Sequence, residues 1–232
     1  MDIVHVHDPP VAVFRPLRTV LLILPGSGNI GHKDHLLSGC QKGEVQSRFI
    51  MPDLVVAVAP FTQPVQTSEL LSGFIPEGQK EVSHKKLAEL DALFQSKLHG
   101  QKHKFVFLTQ ADIDGPMAKD ERGRRNALVT WAERAVRAGA DMIVVPQVIE
   151  LQERVGGEAG VISAAAVNED FYLIDARKPY TLLQRTHFSE EQQSLASDLT
   201  KIGSFFRRGG KWISDIELAA EGMDKAVEEM GL

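Results

Sequence analysis

The spacing of apolar and polar residues divides this chain near residue 51. Residues 1–51 contain clustered prolines, histidines and glycines but no sustained helical or strand period. From Pro52 onward, short valine-rich runs alternate with amphipathic stretches, as in an ordered α/β protein. The chain is therefore predicted to consist of an atypical N-terminal segment, 1–51, and a single α/β domain, 52–232.

Three apolar runs in the first part of the domain predict buried strands. They are LVVAVAPF (54–61), KFVFLT (104–109) and DMIVVPQVIELQERV (141–155). Two amphipathic helices are predicted between them, one over 83–100 with Ser83 as its N-cap, and one within RRNALVTWAERAVRAGA. Strands separated by helices predict βαβ units with right-handed crossovers.

The pattern changes after Val155. Two strand candidates flank the turn-like ARKPY in SAAAVNEDFYLIDARKPYTLLQRTHF, which predicts an antiparallel meander. A final helix is predicted over 214–230, where Ser214 and Glu217 have the spacing of a capping box. Its apolar face is predicted to dock on the sheet through Ile216, Ala220, Met223, Val227 and Met230. The predicted fold class is α/β, a three-layer mixed sheet with a βαβαβ start, an antiparallel meander and C-terminal helices.

Composition excludes several classes of protein and site. The chain has 232 residues, of which 43% are hydrophobic and 25% charged, so it can bury a stable core. The net charge of -5 gives no global basic field, and nucleic acid is not expected as a partner. Cys40 is the only cysteine, which excludes an intramolecular disulfide and a thiolate metal cluster. No apolar run approaches the ~20 residues of a membrane-spanning helix.

A glycine-rich loop follows an apolar strand candidate in the N-terminal segment. Within GSGNIG, the residues Gly26, Gly28 and Gly31 satisfy G-x-G-x-x-G, which allows close approach of the backbone to a pyrophosphate. The following HKDHLLSGCQKG is too short and glycine-broken for the required helix, and Asp53 precedes its strand instead of ending it. A cytoplasmic nucleotide-binding enzyme that uses this loop stays an alternative, and no cofactor is predicted.

Other polar motifs do not assemble into a predicted catalytic or metal site. His5 and His7 would share one face of a strand, but the remaining histidines fall mostly in predicted helices and charged loops. DIDG (112–115) has the wrong spacing for a calcium loop. The carboxylates of the meander are expected on its wet face: Glu169, Asp170 and Asp175. We predict no catalytic, cofactor-binding or metal-binding residue.

The sequence LSGC (37–40) is similar to the end of a bacterial lipoprotein signal. Gly39 provides the small residue at the cut, and the Cys40 thiol would carry the diacylglyceryl thioether. Arg15 and Arg18 would form the positive region, whereas PGSGNIGHKDH interrupts the apolar stretch that such a signal needs. Cys40 is therefore predicted as a lipidation site. The interruption leaves three explanations open: a true start downstream of Met1, a degenerate signal, or a chance match.

The regular part of the chain resembles a group of uncharacterised bacterial envelope lipoproteins. The resemblance covers about residues 52–230 and includes PDLVVAVAPF, AVRAGADMIVVPQVIELQERVGG and FYLIDARKPYTLLQRTHFSEEQ. Its most specific part is the ending SLASDLTKIGSFFRRGGKWISDIELAAEGM. More distantly, the order of elements is similar to the curli-secretion lipoprotein (CsgG) and to the amino-terminal domain of TolB. The resemblance implies a mixed α/β sandwich, a role in envelope assembly or protein contacts, and no catalytic residues.

These observations lead to the expectation of a non-catalytic envelope lipoprotein at the periplasmic face of a membrane. Its partners would be other envelope proteins, with homo-oligomers left open, and a cytoplasmic structural protein without ligand or lipid is a further alternative. The stretch FFRRGGKW combines aromatic area with arginine, the chemistry of binding hot spots. The expected partner-contact residues are Phe205, Phe206, Arg207, Arg208 and Trp212. The alternative is that these aromatics seat the last helix on the core.

Overall fold

The computed structural model of the protein describes residues 54–156, 161–192 and 212–232. Cys40, the histidine pair and the glycine-rich loop lie outside these residues, as does most of FFRRGGKW. The boundary at residue 51 therefore stays a prediction.

Strands and helices alternate along the first part of the described chain. The strands are β1 (Val55–Val58), β2 (Lys104–Phe107), β3 (Met142–Gln152), β4 (Val155–Gly156), β5 (Val161–Ser163), β6 (Ala166–Asp175) and β7 (Thr181–Glu191). The helices are α1 (His84–Leu98), α2 (Gln110–Ile113), α3 (Ala127–Arg137) and α4 (Asp215–Met230), with a short 3-10 turn at Thr67–Glu69. None of the helices in the described ranges has both the length and the hydropathy needed to cross a membrane.

Five of the strands form one mixed sheet in the order β2-β1-β3-β6-β7. β1 pairs in parallel with β2 on one side and with β3 on the other. β3, β6 and β7 then pair antiparallel, and ARKPY forms the turn between the last two strands. The predicted βαβαβ start and antiparallel meander are confirmed.

Helices cover both faces of this sheet. Successive residues of a strand point to opposite faces, and the burial of β1 follows this rule. Val56 and Val58 contribute to the core beneath α1 and α4, whereas Ala57 and Ala59 contribute to the core beneath α3. The three-layer arrangement predicted from the sequence is confirmed.

The ends of the helices follow from local sequence. The Ser83 hydroxyl accepts a hydrogen bond from a first-turn amide of α1 at 3.3 Å, and the Asn126 side chain caps α3 in the same way at 3.1 Å. Ser214 and Glu217 form the predicted capping box of α4. Each cap satisfies a backbone donor that the helix itself leaves unpaired.

The buried face of α4 includes most of the predicted positions and extends beyond them. The predicted core positions of Met223 and Met230 are confirmed, and Ile216 and Val227 pack half-buried against the same core. Ala220 is half-buried. Small residues occupy the centre of the contact with the sheet, and the face consists of Leu218, Ala219, Gly222, Met223, Ala226 and Met230. Hydrophobic periodicity did not identify the small residues Ala219, Gly222 and Ala226, because it measures polarity and not the space that a close approach requires.

Candidate functional site

A pocket lies at the point where the order of successive strands in the sheet reverses. The α1 connection takes the chain from β1 to β2, and the α3 connection then returns it to β3, on the other side of β1. Ligands of open α/β sheets bind beyond the carboxyl ends of the strands at such a switch point. Here Thr62, which follows β1, pairs with Gln147 of β3. The cavity beside this pair is called the switch-point pocket below.

The switch-point pocket has a volume of about 300 Å³ and walls of mixed character. The loop after β1 forms one wall, α2 with its following loop a second, and one face of α3 a third. The apolar lining comes from Pro64, Val65, Ile113, Met117 and Trp131, and the polar lining includes Thr62, Glu69, Arg134 and Gln147. Apolar walls with a few convergent polar groups are typical of a ligand site.

Gln147 brings an unpaired polar atom to the wall of the pocket. Its side chain is 1% exposed, and its Nε2 donates to the Glu69 carbonyl oxygen at 2.9 Å, which fixes the orientation of the amide. Its Oε1 has no hydrogen-bond partner among the described residues, and neither has the buried Oγ1 of Thr62. Leaving such an atom unpaired costs about 1–3 kcal/mol. Two of them at one pocket indicate that a ligand or an ordered water completes their hydrogen bonding.

Arg134 places a partly buried cation at the same pocket. Its Cζ lies 4.6 Å from the centre of the Trp131 ring, one turn earlier on α3. Burial lowers the pKa of the Arg134 guanidinium, and repulsion from Arg137 acts in the same direction, against the attraction of Asp114. No carboxylate of the described ranges forms an ion pair with Arg134. A partly buried cation that is attracted by Asp114 but makes no direct ion pair favours an anionic group on a ligand.

The loop after β1 is fixed before any ligand arrives. The Glu69 carboxylate accepts hydrogen bonds from the amides of Val65 at 2.8 Å and Gln66 at 3.2 Å. Further along, the Tyr172 hydroxyl of β6 lies 3.2 Å from the Ser72 carbonyl oxygen of the loop and 3.2 Å from Oδ2 of Asp170, and its proton can be donated to either. The polar wall is therefore pre-formed, and pre-organisation lowers the entropic cost of binding.

A second polar cluster supports the sheet next to this wall. Asp170 lies opposite Gln147 in the β3–β6 register. Its carboxylate accepts two hydrogen bonds from Arg185, at 2.8 and 3.0 Å, and lies 2.9 Å from Nδ1 of His187. The prediction that Asp170 lies on a wet face is wrong, because it is 2% exposed on a strand with neighbours on both sides. The Arg185 guanidinium balances the buried charge of Asp170, and the cluster has a structural role.

Glu169, on the opposite face of β6, is also buried, so the prediction of a wet face is wrong for this residue as well. Its side chain is completely buried near α4, and neither of its oxygens has a partner in the part of the chain that the structure describes. Burial raises the pKa of the Glu169 carboxyl well above its ordinary value, and the charge of Asp170 adds to this effect. The protonated form is therefore favoured. Asp175, at the end of β6, is half-buried and pairs with Arg177 at 2.7 Å.

The residues singled out from the sequence lie elsewhere. Cys40 and residues 205–208 are outside the described ranges. Trp212 is half-buried just ahead of α4, and its carbonyl oxygen accepts a hydrogen bond from the Arg154 side chain. Lipidation and the predicted contact surface thus stay predictions. Among the described side chains, no group of three or more His, Cys, Asp or Glu is placed to hold a metal ion.

Sequence reasoning missed the switch-point pocket, although two signals were present. Gln147 interrupts the apolar run of β3, and a polar residue within a buried strand calls for an explanation. Trp131 and Arg134 have the i, i+3 spacing that places side chains on one helix face. Neither signal identified the third wall, because the loop after β1 reaches α3 only in the folded chain.

Comparisons with known proteins found partial structural similarity to solved structures. No family model matches the chain, and no curated protein matches it. Similar solved structures include the hypothetical protein CT253 from Chlamydia trachomatis, with 16% identity over 62% of this chain and 74% of that chain, at a TM-score of 0.34.

Two further similar structures come from other bacteria. PelC from Paraburkholderia phytofirmans, solved as a dodecamer, has 12% identity over 77% of this chain and 91% of its own, at a TM-score of 0.42. The lipoprotein GNA1162 from Neisseria meningitidis has 12% identity over 66% of this chain and 93% of its own, at a TM-score of 0.38. At these identities and scores the similarities establish neither function nor assembly. The more distant resemblance to the curli-secretion lipoprotein and TolB stays a prediction.

Proposed function

We propose that this chain is a non-catalytic binding domain that captures a polypeptide partner in the switch-point pocket. The observation that carries the proposal is the buried Gln147 amide, whose Oε1 lacks a partner among the described residues although Gln147 lines a pocket of about 300 Å³. A partner group that hydrogen-bonds to this amide would remove the cost of leaving it unpaired.

The walls of the pocket suit a protein segment. Trp131 and Arg134 belong to the residue types that dominate protein–protein hot spots. Val65 stands in the lining with 66% of its surface exposed, so apolar area continues from the pocket to the solvent-facing loop. An apolar rim beside convergent polar groups is what a side chain and its backbone require from a binding site.

We place this binding activity at the periplasmic face of the cell envelope, with lipid on Cys40 as the anchor. The proposal rests on LSGC, which uses the only cysteine of the chain, and on the resemblance of residues 52–230 to envelope lipoproteins. The several acyl chains of a mature lipoprotein anchor stably, whereas a single chain gives marginal membrane affinity. Envelope proteins, further copies of this chain among them, are then the candidate partners, and residues 205–212 would offer a second contact surface.

A photo-crosslinking amino acid at Val65 tests capture through the pocket. Val136 is the matched control, since it is also a valine, 51% exposed on α3, and does not line the pocket. In cells of the native host, we expect a discrete adduct with one protein from position 65 and none from position 136. The measurement is immunoblotting of irradiated envelope fractions followed by mass spectrometry of the adduct.

Capture through the pocket also requires that the adduct depends on the pocket's chemistry. The variant Gln147→Leu should reduce the adduct from position 65 while the level of the protein stays unchanged. Absence of any adduct at position 65, or the same adducts from both positions, would show that the pocket does not hold a protein partner.

A further inference from the structure

We propose that the switch-point pocket recognises the carboxyl-terminal residue of a polypeptide, an apolar residue with a free α-carboxylate. This inference rests on the proposed function and specifies the chemistry of the captured segment. Three features of the pocket carry it: a cation without a direct ion pair among the described residues, neutral hydrogen-bond acceptors, and an apolar wall.

The Arg134 guanidinium supplies the position for the carboxylate. Its stacking on Trp131 leaves its N–H groups without a hydrogen-bond acceptor among the described residues. The planar fork of an arginine matches a carboxylate in bidentate geometry, and the pair strengthens where both groups are partly removed from water. The Glu69 carboxylate also lines the pocket, so repulsion disfavours a ligand carboxylate beside Glu69 and favours Arg134 as its partner.

The acceptors of the β1–β3 side supply the position for the backbone N–H of the same residue. Gln147 Oε1 accepts hydrogen bonds only, and Thr62 Oγ1 can accept or donate. Both are neutral, and the Glu69 carboxylate is already engaged by the amides of Val65 and Gln66. Neutral acceptors suit an amide N–H better than the ammonium group of a free amino acid, whose charge needs a counter-ion.

The apolar wall supplies the position for the side chain. Ile113 and Trp131 are 8% and 4% exposed, and Met117 is half-buried beside them in the lining. Methionine adapts its shape to different apolar groups. A volume of about 300 Å³ suits one residue with its carboxylate better than a long segment. An internal segment of a chain would also leave Arg134 without its anion.

Isothermal titration calorimetry with the full-length chain tests this inference. The probes are acetyl-Ser-Ala-Leu with a free carboxylate, the same peptide with an amidated end, and free leucine. We expect amidation to weaken binding at least ~10-fold, because it removes a charge-assisted hydrogen bond. Arg134→Gln should cause the same loss for the free-carboxylate peptide and leave the affinity for the amidated one unchanged.

The control variant is Arg137→Gln, an exposed arginine on the same helix that does not line the pocket. It should bind like the wild type, and thermal unfolding should show that both variants are folded. Equal affinity for the amidated peptide would contradict recognition of a free carboxylate. Tighter binding of free leucine would contradict recognition of a polypeptide. If no probe binds while the Val65 adduct forms, this inference fails and the proposed function stands. If the adduct is absent as well, both fail.

Discussion

Gly222→Ala is expected to lower the free energy of unfolding by about 3 kcal/mol, the upper end of the cost of overpacking a core. Helix propensity alone predicts the opposite, a gain of about 1 kcal/mol on replacing a helical glycine by alanine. The steric term prevails because a Cβ at this position would lie 2.0 Å from Oε1 of Glu169 and 2.7 Å from Cδ1 of Phe188. Urea denaturation followed by circular dichroism measures the change.

The control for this substitution is Glu228→Ala on the exposed face of the same helix. It should change the free energy of unfolding by no more than about 0.5 kcal/mol, as substitutions at exposed positions usually do. If Gly222→Ala were neutral or stabilising, α4 would not approach β6 and β7 as closely as the structure shows.

Glu169→Met is expected to stabilise the protein at pH 7 by about 1–3 kcal/mol, the cost of leaving a buried polar group without a hydrogen-bond partner. The gain should depend on pH, because burial raises the pKa of the Glu169 carboxyl well above its unfolded value of 4.5. Below that pH the Glu169 carboxyl is protonated in both the native and the unfolded state, so its ionisation does not affect the free energy of unfolding. As the pH rises through it, the unfolded state releases the proton while the native state keeps it, so the stability of the wild type falls.

The measurement is the free energy of unfolding in urea at pH 4, 5.5 and 7 for both proteins. The difference between Glu169→Met and the wild type should be smallest at pH 4 and largest at pH 7. The control is Glu191→Met at an exposed position of β7, which should change the free energy of unfolding at pH 7 by no more than about 0.5 kcal/mol. A difference that is independent of pH would show that Glu169 is not protonated in the native state.

The sequence was most informative where structure depends on neighbouring residues. The N-cap at Ser83, the capping box at Ser214 and the alternation of helix and strand are local signals, and the structure confirms each of them. The layers follow because an amphipathic helix must bury its apolar face on a sheet.

The errors concern positions whose surroundings come from distant parts of the chain. Glu169 and Asp170 are of a residue type that is usually exposed, but other elements cover both. The helix α4, 46 or more residues away, covers Glu169, and Arg185, 15 residues away, pairs with Asp170. The pattern of polar residues along one strand does not show which helix or strand packs against that strand. The switch-point pocket was missed for the same reason, since Thr62, Trp131 and Gln147 meet only through the tertiary fold.

That the binding domain works at an envelope membrane is the central claim, because the choice of partner depends on it. The most direct test is the intact mass of the protein from its native host, for the wild type and for Cys40→Ala. We predict a membrane-fraction species that begins at Cys40 and carries added acyl mass, and its loss in the variant. A full-length, unmodified wild-type chain in the soluble fraction would contradict the claim and would make nucleotide binding by GSGNIG the next property to measure.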